Sequence, residues 1–99
     1  MKDNVVKDKS LEFAVRIVNL YKFLVNEQKE FVMSKQILRS GTSIGANIRE
    51  AEQAQSRADF INKLNIALKE ANETEYWLEL LIRTEYITRE QYESINNDS

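Results

Sequence analysis

The chain contains no proline and only two glycines, Gly41 and Gly45, in 99 residues. A β protein needs turn residues at short intervals, and proline is the sharpest terminator of a helix. With that punctuation missing, long uninterrupted helices are the regular structure left open to the chain. The sequence therefore predicts an all-α fold. Its length bounds the fold to a single domain, residues 1–99.

Apolar spacing divides the chain into helices. The first is predicted over residues 5–26, with Asn4 as its N-cap. Val6, Ser10, Phe13, Ile17, Leu20 and Leu24 recur in steps of four and three, a heptad seam. A second seam, Leu11, Val15, Val18, Lys22 and Val25, is rotated to another side, so this helix is expected to bury against two neighbours. Residues 27–30 read as a connection. The second helix is predicted to begin at a Ser34 cap and run to about residue 55, with Ile37, Leu38, Ile44 and Ile48 as its apolar contacts.

Residues 40–47 carry both glycines inside that helix. Each costs up to about 1 kcal/mol relative to alanine. The stretch predicts a kink or the close approach of another backbone, or else a break into two shorter helices. The third helix is predicted over residues 57–85, capped by Ser56 with Asp59 three residues on. Phe60, Leu64, Ala67, Ala71, Thr74, Leu78 and Leu81 hold its seam, while Ile61, Leu68, Trp77, Leu80 and Ile82 lie off it. Thr88 caps a last helix over residues 89–96, with Gln91 at the capping-box position. The expected architecture is an up-down antiparallel four-helix bundle with three long helices and a short fourth.

Such a bundle needs roughly three apolar positions in seven on each helix. The first and third helices exceed that, and a fourth helix of about two turns cannot cover the difference. Another copy of the chain is the expected cover, since most soluble oligomers are closed assemblies of one chain. The reading is a homo-oligomeric interaction or scaffold subunit.

Composition narrows the chemistry. Neither histidine nor cysteine occurs, which removes the commonest general base, the commonest metal ligand and any thiolate site. No catalytic residue, metal or cofactor is expected. There is no apolar signal-peptide core and no run long enough to span a membrane, so a cytoplasmic location is expected. A net charge of -2 argues against broad attraction to nucleic acid or anionic lipid.

Several motifs still need weighing. Gly41-Thr42-Ser43-Ile44-Gly45 spells the nucleophile elbow, but an elbow requires a strand before it and a histidine base. Small residues at a helix crossing are the reading kept. Glu50, Glu70 and Glu73 invite a carboxylate-bridged metal, yet the histidines such bundles use are absent. Arg39, Ser43, Asn47 and Glu50 share one stripe of the second helix, and the expected account is an interhelical polar network in which Arg39 and Asn47 face Glu70 or Glu73. Phe13, Phe60, Tyr76 and Trp77 are expected as packing or interface anchors. Lys35, Arg49, Arg57 and Lys63 are candidate RNA or DNA contacts, although Glu50, Glu52 and Asp59 sit among them.

Two longer runs carry a specific resemblance. Residues 34–51, SKQILRSGTSIGANIREA, and residues 59–78, DFINKLNIALKEANETEYWL, resemble the four-helix-bundle proteins encoded in intervening sequences of bacterial 23S ribosomal RNA genes. Lys9-Ser10 and Phe13-Ala14 fit as well, and the likeness covers nearly the whole chain. It implies a left-handed four-helix protomer assembling into a ring, in relatives a homopentamer, with no established enzymatic activity. A related branch, the accessory protein of diversity-generating retroelements, works with a reverse transcriptase and nucleic acid. A nucleic-acid accessory factor is therefore the alternative reading. The family's recurrent positions fall on Arg39, Ser43, Asn47, Glu50, Glu70, Glu73, Tyr76 and Trp77. The chain departs from the pattern in its acidic balance and its short fourth helix.

Overall fold

The computed structural model describes residues 2–96, with side chains from Val5 onward. They form four helices: α1 (Lys2–Asn26), α2 (Met33–Glu52), α3 (Arg57–Arg83) and α4 (Arg89–Asn96). No strand occurs among the described residues. The helices alternate in direction. α2 packs against both α1 and α3, whereas α1 and α3 make no close backbone contact with each other; α4 lies between them and touches both. The molecule measures 43 × 24 × 19 Å.

Local chemistry accounts for most helix ends. The Ser56 hydroxyl accepts from the Asp59 backbone N–H at 3.1 Å, capping α3. At α4 the box is reciprocal: Thr88 Oγ1 accepts from the Gln91 N–H at 3.1 Å, and Gln91 Oε1 accepts from the Thr88 N–H at 2.8 Å. α1 starts at Lys2, earlier than the spacing predicts, so Asn4 falls inside its first turn. The cap expected of the Asn4 side chain lies outside the described residues.

Ser34 does not cap α2. The helix begins one residue ahead of it, and no side chain of the N-cap residue Val32 bonds there. The Glu30 carboxylate does the work instead, accepting from the N–H groups of Val32 at 3.2 Å, Met33 at 2.9 Å and Ser34 at 2.7 Å. Three orphan donors are satisfied by one anion at the positive end of the helix dipole. α2 closes at Glu52 and α3 at Arg83, each earlier than the apolar pattern predicts. After α3, Glu85 takes a left-handed φ of 67°. The Glu85 and Tyr86 N–H groups then reach back to the carbonyls of Ile82 at 3.1 Å and Leu81 at 2.9 Å. This is a Schellman closure without its usual glycine.

α2 is one continuous helix through Gly41 and Gly45, so the alternative of two shorter helices is not what forms. The glycines permit close approach instead. A β-carbon on Gly41 would stand 2.8 Å from Ile17 Cγ1, and one on Gly45 would stand 3.2 Å from Ser10 Oγ. The first seam of α1 is thereby pressed onto α2. Phe13, Ile17, Leu20 and Leu24 join Ile37, Leu78, Leu81, Ile87 and Ile95 in one core. No described helix is long and apolar enough to cross a membrane.

Candidate functional site

The α2–α3 crossing carries a polar cluster on its outer side. Arg39 donates to Glu70 Oε1 at 3.3 Å and also to the Glu73 carboxylate. The Trp77 indole N–H donates to the same Glu73 oxygen at 3.2 Å. Glu73 and Trp77 are one turn apart, which lets the ring sit beside the carboxylate. The hydrogen bond from Arg39, then that from Trp77, holds the Glu73 carboxyl below the usual carboxylate range. The hydrogen bond to Glu73, with the nearby Glu70 and Glu73 charges adding to it, holds the Arg39 guanidinium above its ordinary value against the opposing effect of burial.

The neighbouring positions bond differently. Ser43 Oγ donates to the Arg39 carbonyl at 2.6 Å, and the Asn47 amide donates to the Ser43 carbonyl at 2.8 Å. Both therefore close onto their own helix rather than reaching α3. Ser43 sits in mid-helix, with no strand-to-helix turn around it. Glu50 accepts from Lys63 Nζ at 2.7 Å, and this contact raises the Lys63 ammonium above its ordinary value. Next to Arg39 in the chain but turned to the inner side of the helix, Ser40 accepts from the Thr74 hydroxyl at 2.9 Å in the buried centre of the crossing. Ser40 carries no pattern signal in the sequence, and the pairing shows only once the helices are docked.

The four candidate nucleic-acid contacts are not gathered. Lys35 stands at the start of α2, and Arg49 is fourteen residues further along it, about 21 Å away by helical rise. Arg57 and Lys63 belong to the start of α3, near the Arg49 end, with Lys63 engaged by Glu50. Among the described residues no group of acidic side chains is arranged to hold a metal ion.

Apolar exposure is the other notable property of the surface. Phe13 is buried and Trp77 packs partly on the core, while Phe60 and Tyr76 are exposed. Tyr76 and Trp77 meet edge to face with centroids 5.3 Å apart. Leu11 and Val15 of α1 are 50% and 53% exposed, and Phe60, Ile61, Leu64 and Leu68 of α3 are also exposed. Between α1 and α3, beyond the end of α4, lies an open hollow of about 270 Å³ lined by Val6, Lys9, Phe13, Ile44, Ile48 and Ala71.

Comparison with known proteins places this arrangement. A model of the family described as 23S rRNA-intervening sequence protein matches residues 2–99. A crystal structure of a protein of unknown function from the S23 ribosomal protein family of Bacteroides thetaiotaomicron is 98% identical, over 99% of this chain and 84% of that one, with a TM-score of 0.93. No curated protein matches.

Proposed function

The chain belongs to the 23S rRNA-intervening sequence protein family, and from that premise we propose that it is a non-enzymatic, homo-oligomeric interaction subunit of the cytoplasm. One observation carries the reading. Leu11 and Val15 on α1, and Phe60, Ile61, Leu64 and Leu68 on α3, leave large apolar side chains in water on a molecule whose core is otherwise closed. Scattered apolar residues on a surface mean little, but two stripes at helical spacing form continuous patches of the kind that mark association.

The family resemblance carried by residues 34–51 and 59–78 implies a ring, and it favours a pentamer among the closed assemblies. The site chemistry supports a binding role over a catalytic one, because Ser43 bonds only along its own helix and no histidine is present. Light scattering coupled to size exclusion tests the proposal: the expected mass at micromolar concentration is that of several 11.6 kDa chains. A mass of one chain under those conditions removes it.

A further inference from the structure

We draw no further inference here: the strongest candidate, the cleft of about 470 Å³ between α1 and α4 lined by Arg16, Leu20, Phe23, Gln91 and Ile95, is open along its length and nothing in the structure shows what covers it.

Discussion

Gly41 of α2 lies so close to Ile17 of α1 that a methyl group in place of its hydrogen would stand 2.8 Å from Ile17 Cγ1 and 2.9 Å from Cγ2. Ile17 is fully buried and β-branched, with little rotamer freedom to yield. Gly41→Ala should therefore destabilise by about 1–2 kcal/mol, the overpacking cost less the gain in helix propensity. At Gly45 the nearest atom is the Ser10 hydroxyl, 3.2 Å away at the end of a rotatable bond. Gly45→Ala should fall within about 0.5 kcal/mol of wild type, because the helix propensity gained offsets the crowding. Urea denaturation of the two variants checks the contrast, and equal losses would contradict it.

Glu30 is the start signal of α2. Glu30→Ala should cost about 1–2 kcal/mol, since three buried or half-buried N–H groups lose their acceptor. Glu30→Gln, which keeps one acceptor oxygen, should cost less. Hydrogen exchange at Met33 and Ser34 should accelerate in the alanine variant before exchange in the middle of α2 does.

The left-handed residue that closes α3 offers a gain. Glu85 has a φ of 67°, a conformation that an L side chain strains to adopt and glycine does not. Glu85→Gly should raise stability by about 0.5–1 kcal/mol, read as a higher melting temperature with an unchanged urea m-value. A lower melting temperature would show that the Glu85 side chain contributes more than its backbone costs.

The Arg39–Glu73 contact sets a pH dependence. The folded protein holds the Glu73 carboxyl below its ordinary range, so its contribution is present above the unfolded-state value and is lost as pH falls through the folded one. The melting temperature of Glu73→Gln should lie below wild type at pH 7, and the gap should close as the pH is lowered towards about 3. A gap of constant size across that range would mean that the lost contact with Trp77, rather than charge, explains the difference.

What the sequence made legible was local. Ser56 and Thr88 act on N–H groups three residues away, so their roles appear in any short window. The α1 seam was equally readable because heptad spacing survives docking, and Ser10 through Leu24 are buried along it. Ser34 matched the capping pattern better than Glu30 did, yet the longer Glu30 side chain, placed just after left-handed Lys29, reaches forward to the first N–H groups of α2. Asn47 shares a stripe with Arg39, but a short amide one turn from a carbonyl bonds its own helix before it bridges to another. The Ser40–Thr74 and Lys63–Glu50 pairs depend on the rotation of α2 against α3, which neither helix encodes alone.

α2 packs closely on the helix before it and the helix after it, while the backbones of α1 and α3 do not approach each other closely. The close backbone packing between the long helices therefore joins segments that are consecutive in the chain. Little loop entropy must be spent before those contacts form, so collapse can start at either hairpin without waiting for the other. Such topologies fold on a timescale of microseconds to milliseconds. A protomer that reaches its shape so quickly leaves core residues such as Ile17, Leu24, Ile37 and Leu81 in water for only a brief interval, which favours folding over aggregation.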